Sequence, residues 1–217
     1  GYTYTAPRLS LGVNFYYMKY KDQLVPTGMV NDGDDALNVN VPDSYRRGVE
    51  LSASWRATGW FTVGANATFS QNRIENYVDA LKDSPTYGKE LGDMTIAYSP
   101  DVIANAFLNF HHRGFEAVFH TQHVGKQYFT NNENDALSLD AYCVTNLNLA
   151  YTFRTRSARS VRLGLLINNL FNAEYESNGY GYSYMDTWSG PAPVRIDEAY
   201  YFPQAPLNVL ANVTVKF

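Results

Sequence analysis

The sequence predicts an all-β fold, a portion of an antiparallel up-and-down transmembrane β-barrel, and three observations predict it. Period-two alternation of apolar and small polar residues recurs along the chain, while helical periodicity is nearly absent. Short and long connections alternate strictly between the runs. Aromatic residues, 15% of the 217 with 18 Tyr among them, collect at the ends of the runs. A mean hydropathy of −0.33 is compatible with a membrane, because only alternate residues of a spanning strand face lipid. No segment approaches the ~20 consecutive apolar residues that a spanning helix requires.

The elements follow in order. Residues 1–8 look like a strand end and a turn, not a leader peptide, so the chain is expected to be part of a longer one. Leu9, Leu11, Val13, Phe15 and Tyr17 oppose Ser10, Gly12, Asn14 and Tyr16. Tyr45, Arg47, Val49, Leu51, Ala53 and Trp55 oppose Arg46, Gly48, Glu50, Ser52 and Ser54. After a turn at Thr58 and Gly59, Phe61, Val63, Ala65, Ala67 and Phe69 oppose Thr62, Gly64, Asn66, Thr68 and Ser70. Further apolar rows are Val102–Phe110, Leu147–Phe153, Val161–Ile167 and Leu207–Phe217, each taken at alternate positions. Eight substantial strands are predicted, over 9–25, 45–56, 61–79, 99–111, 115–129, 141–154, 161–176 and 205–217, with a remnant near Tyr2–Thr5.

Tight turns are predicted near 57–60, 112–114 and 155–160, and long loops near 26–44, 80–97, 130–140 and 178–204. Bacterial barrels place short turns at the periplasm and long loops outside, so the C-terminus is expected at the periplasmic end. The apolar rows would face lipid and the small polar rows a hydrated lumen. An arginine at mid-bilayer on the lipid face would cost roughly 2–4 kcal/mol, and the middles of the apolar rows carry no charge.

At four places the residues resemble a known family. Leu11–Val25, LGVNFYYMKYKDQLV, is similar to an outward strand near the end of TonB-dependent receptors of Bacteroidetes type, and Asp43–Leu51, DSYRRGVEL, to one of their inward strands. Residues 167–180, INNLFNAEYESNGY, resemble their penultimate strand, and FPQAPLNVLANVTVKF resembles their last strand with its terminal aromatic. The resemblance implies a 22-stranded barrel of which residues 1–217 are the C-terminal part, with the plug domain and TonB-binding segment lying outside this chain. It implies active uptake of a scarce nutrient, above all a ferric siderophore or similar iron complex, and not an enzyme. The implied partners are outer-membrane lipid, the TonB complex, the barrel-assembly machinery and a small-molecule or chelate substrate. Val213, Val215 and Phe217 resemble the assembly signal.

Other functions are bounded by the residues themselves. A net charge of −4 without a basic block argues against nucleic acid. The single Cys143 excludes a disulfide framework and a multi-cysteine metal site. No nucleophile elbow, phosphate loop, HExxH or CxxC is present, and no cofactor is implied. His120 and His123 fall on opposite faces of a regular strand. Glu50 shares the inner face with Arg46, which suggests a structural ion pair. Asn31-Asp32-Gly33-Asp34-Asp35 is acidic enough for calcium but lacks calcium-loop spacing, so a solvated acidic turn is the simpler expectation. Tyr180, Tyr182, Tyr184 and Trp188 in the 178–204 loop are the candidate substrate contacts, weighed evenly against packing of the loop on itself. Two further architectures fit parts of the pattern. One is a complete eight-stranded outer-membrane barrel with a structural or adhesive role; the other is a soluble carbohydrate-binding β-sandwich.

Overall fold

The computed structural model describes residues 1–30, 36–82 and 84–217; the acidic run weighed above for calcium lies outside the described residues. Strands β1 (Tyr2–Ala6), β2 (Leu9–Val30), β3 (Ala36–Arg56) and β4 (Phe61–Ile74) open the sheet, and the short β5 (Met94–Thr95) adds to the outer end of β4. β6 (Val102–His112) and β7 (Phe115–Val124) continue it. Next come the two-residue strands β8 (Gln127–Tyr128) and β9 (Ser138–Leu139), separated by a 3-10 turn at Asp135–Leu137. The chain ends with β10 (Tyr142–Phe153), β11 (Ser160–Asn168), β12 (Glu176–Asp186), β13 (Val194–Pro203) and β14 (Asn208–Lys216).

The sheet is one antiparallel meander in the order β1-β2-β3-β4-β6-β7-β10-β11-β14. This is the predicted set of eight strands plus the remnant, in a single layer. Two two-stranded sheets, β12–β13 and β8–β9, accompany it, but among the described residues no sheet covers its apolar rows, where Phe15, Leu51, Phe69, Leu163 and Val213 stay exposed, which removes the sandwich. Nor does it close: β1 pairs only with β2, and β14 only with β11, which removes the complete eight-stranded barrel.

The register explains how the alternation works. Val13, Leu51 and Ala67 are aligned across β2, β3 and β4, and so are Phe15, Val49 and Phe69. At the far side Leu149 pairs with Leu165 and then Ala211, and Leu163 with Val213. A one-residue slip anywhere would move a polar row to this face, so the pattern fixes the pairing. The apolar face stays open, with Phe15 68% exposed, as a lipid-facing wall requires. A polar pair in the wall, Thr121 and Thr145, is mutually satisfied by a hydroxyl hydrogen bond of 2.9 Å.

On the opposite face, aromatic rings cover cross-strand glycines. Tyr16 pairs with Gly48, and Phe107 with Gly64. A Cβ at either glycine would run into the ring opposite. The glycines on this face therefore give large rings a seat beside small residues. The β6–β7 link is the two-residue turn Arg113-Gly114 with φ of 48° and 84°. Both residues at positive φ give the primed turn whose twist suits a hairpin.

Three expectations are corrected. β2 and β3 continue to Val30 and from Ala36, through much of the predicted 26–44 loop. At ~3.3 Å per residue, the 22 residues of β2 greatly exceed the ~9–11 needed to cross a bilayer, so its outer part stands in water. β4 ends at Ile74, short of the predicted 79. The 178–204 loop is a paired hairpin, β12–β13.

The buried cores lie in these outer parts. Val25, Val41, Ile74, Tyr77 and Ile96 form one, and Phe129, Leu137 and Leu139 the other. Burial pushes the Tyr77 phenol up to about 12, with the Asp79 charge adding to the effect and Arg195 opposing it.

Candidate functional site

The β12–β13 hairpin grows out of the sheet through an asparagine-rich joint. Asn169, buried and at φ 50°, accepts from the Ala173 amide at 2.8 Å and donates to the carbonyls of Ala173 and Ala205 at 2.8 and 3.3 Å. Asn172 accepts from the Leu207 amide at 2.9 Å. These side chains replace the ladder bonds lost where the strands bend, and asparagine tolerates the left-handed backbone there.

Above the joint, Gly179-Tyr180-Gly181-Tyr182-Ser183-Tyr184 sends glycine and serine to one face and three tyrosines to the other. The glycine face packs on the 129–139 segment: a Cβ at Gly179 would sit 2.8 Å from the Phe129 ring, and one at Gly181 2.9 Å from Leu137. The Tyr98 hydroxyl donates to the Gly179 carbonyl at 3.3 Å.

The tyrosine face is open. Tyr180 is aligned with Tyr200, Tyr182 with Glu198, and Asn178 with Phe202. Tyr180 and Tyr200 stack at 5.0 Å, Tyr182 lies 6.4 Å from Tyr200, and Phe202 6.1 Å from Tyr180. Glu198 organises the group, accepting from the hydroxyls of Tyr182, Tyr200 and Tyr184 at 2.8, 3.0 and 3.1 Å. Those three bonds hold the Glu198 carboxyl below the usual carboxylate range and push each of the three phenols up. Arg195 lies on the other face and binds Asp197 at 2.9 Å, so it does not neutralise Glu198. The result is an ordered aromatic ladder with one ionised carboxylate. It can stack on planar rings or sugar faces. Among the described residues no group of three metal-ligating side chains forms.

Three of the four predicted contact residues, Tyr180, Tyr182 and Tyr184, are thus brought together. Trp188 stands apart at the hairpin tip, 93% exposed, with its amide donating to Asp186 at 2.9 Å. Sequence reasoning missed Glu198, Tyr200 and Phe202. Their signal was the alternate placing of Glu198, Tyr200 and Phe202 in one run, hidden once the region is taken for a loop.

The other constellations resolve as follows. Glu50 and Arg46 do not pair: Glu50 accepts from Asn14 at 3.0 Å, while Arg46 donates to Asn72 at 3.1 Å and Ser99 at 3.4 Å. The cross-strand neighbours are closer than any same-strand residue four positions away. His120 aligns with Phe107 and His123 with Ala104, on opposite faces. Val213 and Val215 lie on the lipid-facing row of β14, and Phe217 is 92% exposed beyond it.

Comparison with known proteins places this architecture. The family model described as TonB dependent receptor-like, beta-barrel, matches residues 1–170. Among solved structures, the ferric yersiniabactin uptake receptor FyuA from Yersinia pestis aligns at 18% identity and TM-score 0.66, over 99% of this chain and 28% of that one. The ferric citrate transporter FecA aligns at 14% and 0.65, over 97% and 29%. The copper transporter OprC aligns at 19% and 0.66, over 97% and 29%. The chain therefore spans less than a third of each of these structures. With the family model covering most of its length and an open, lipid-facing antiparallel sheet that overlays these barrels, the chain belongs to the TonB-dependent receptors of the bacterial outer membrane.

Proposed function

We propose that this segment is the C-terminal part of a 22-stranded receptor for active uptake of a scarce nutrient, a ferric siderophore or similar iron complex, in a bacterium of Bacteroidetes type. The observation that carries the reading is the open aromatic ladder of Tyr180, Tyr182, Tyr184, Tyr200 and Phe202 on the water-facing extension of the barrel. It is held rigid from below by the packed glycine face, so it meets a ligand without first paying ordering entropy. Proteins of this fold include receptors named for ferric chelates, and the copper transporter keeps a second metal cargo in view. Energy would come from the TonB complex, engaged by parts of the receptor outside residues 1–217. Val213, Val215 and Phe217 would be read by the barrel-assembly machinery during insertion.

The test is growth of a deletion strain complemented with the whole receptor, on single iron sources, beside tyrosine fluorescence quenching by each ferric chelate. Tyr180→Ala with Tyr200→Ala should weaken binding of the cognate chelate by on the order of tenfold or more, two lost ring contacts at ~0.5–1.5 kcal/mol each. Growth on every iron source indistinguishable from the parent strain, with a defect on copper or glycans instead, would reject the iron reading.

A further inference from the structure

Every short turn of the sheet is marked by arginine. Arg8 lies in the β1–β2 turn, Arg56 ends β3, Arg113 opens the β6–β7 turn, and Arg154, Arg156 and Arg159 occupy the β10–β11 turn. All six are exposed. Among the described residues none of them lies within ion-pair distance of a carboxylate. The turns at 7–8, 57–60, 113–114 and 154–159 contain no aspartate or glutamate. Glu116, next to the β6–β7 turn, is already gripped by both terminal nitrogens of Arg162 at 2.8 Å each. The chain as a whole carries −4, so this rim is a polarisation along the barrel axis and not a consequence of bulk charge.

The depth of the rim is set by the aromatics beside it. Phe61 and Phe110 stack at 4.4 Å with Trp60 at 6.0 Å from each, and Tyr151 stacks on Phe153 at 5.9 Å. Such belts sit at the membrane–water interface. The arginines follow within a few residues, roughly 3–10 Å further at the strand rise, which is the level of the lipid phosphates.

We propose that this arginine rim docks anionic phospholipid headgroups of the periplasmic leaflet. Guanidinium groups bind phosphate through two parallel hydrogen bonds and keep their charge at any physiological pH. A zwitterionic headgroup brings its own ammonium and gains less. The aromatic belt directly above decides between a lipid and an acidic periplasmic protein, since only a bilayer needs hydrophobic anchoring at that height. Each basic side chain close to an anionic leaflet gains roughly fivefold in partitioning.

The experiment uses the complete receptor in neutral detergent, titrated with dioctanoyl phosphatidylglycerol or dioctanoyl phosphatidylcholine, with bound lipid counted by native mass spectrometry. The parent should retain phosphatidylglycerol preferentially. Arg154→Gln, Arg156→Gln and Arg159→Gln combined should reduce that retention by on the order of tenfold or more, while Lys82→Gln with Lys89→Gln, at the opposite end, should leave it unchanged. Heat-dependent gel mobility verifies that each barrel is folded. The combined Arg→Lys variant, which keeps the charge, should retain most of the preference and covers any folding defect of the glutamine set. Equal retention of the two lipids, unaltered retention in the folded glutamine variant, or displacement by inorganic phosphate as effective as by lipid would each overturn the proposal.

Discussion

Gly64 shows how much a missing side chain contributes in this wall. The Phe107 ring from the neighbouring strand covers it, and a Cβ there would overlap the ring. Gly64→Val should therefore destabilise the barrel by about 1–3 kcal/mol, the usual cost of overpacking. Phe107→Leu in the same chain should recover much of that loss, because it empties the space the new methyls need. Urea unfolding of the receptor from lipid vesicles reads both. Equal and additive losses in the single and double variants would show that the ring and the glycine are uncoupled. The same logic holds for Gly48 beneath Tyr16, where the Tyr16 hydroxyl would lie 2.7 Å from an added Cβ. Glycine here is a packing residue, chosen for what its neighbour occupies.

At the scale of elements, polar side chains fasten the 129–139 segment to the sheet. Asn131, fully buried, accepts from the Ala97 amide at 2.8 Å and donates to the Pro26 carbonyl. Glu133 accepts from the Thr95 amide at 3.0 Å and from the Thr95 hydroxyl, and it pairs with Arg73. Partial burial alone would raise the Glu133 carboxyl, but the Thr95 hydrogen bonds and the Arg73 charge outweigh it and hold it below the ordinary range. A depressed carboxyl contributes stability that is complete above its unfolded value, ~4.3 for glutamate, and that is lost as pH falls through the lower folded value. The segment should thus loosen in acid below about pH 4. Near-ultraviolet circular dichroism from Tyr98, Phe129 and Tyr201, which pack together, should fall there before the far-ultraviolet strand signal does. Glu133→Gln should flatten the acid-dependent part of that curve, and an unchanged curve would remove Glu133 from the fastening. None of this was legible from the sequence. Strand alternation is written in residues near one another, and it located every sheet strand, although β3 begins at Ala36 where 45 was expected and β11 ends at Asn168 where 176 was expected. The fastening joins Glu133 to Thr95 and Asn131 to Pro26, contacts across distant loops that no period encodes. The aromatic ladder was half legible for the same reason: Tyr180, Tyr182 and Tyr184 stand in one run, while their partner Glu198 comes from the return strand.

For the molecule as a whole, the decisive fact is that its sheet ends in two open edges. β1 presents its free side along Tyr2–Ala6 and β14 along Asn208–Lys216, with no strand opposite either among the described residues. In water such edges invite pairing with another chain. In the hydrocarbon they are worse, because each unpaired amide or carbonyl there costs several kcal/mol. The apolar wall adds a second demand, since Phe15, Leu51, Phe69, Leu163 and Val213 all stand exposed and need acyl chains or detergent around them. Neither demand can be met by repacking: the inner face is polar and crowded by rings over glycines, and among the described residues the two clusters of buried side chains lie in the outer extensions. Residues 1–217 expressed alone should therefore pair edge to edge with further copies or depend on detergent. Size-exclusion chromatography with light scattering measures this directly. A monodisperse monomer without detergent would mean that the apolar rows are covered by the chain itself, and the lipid-facing assignment of that face would fall with it.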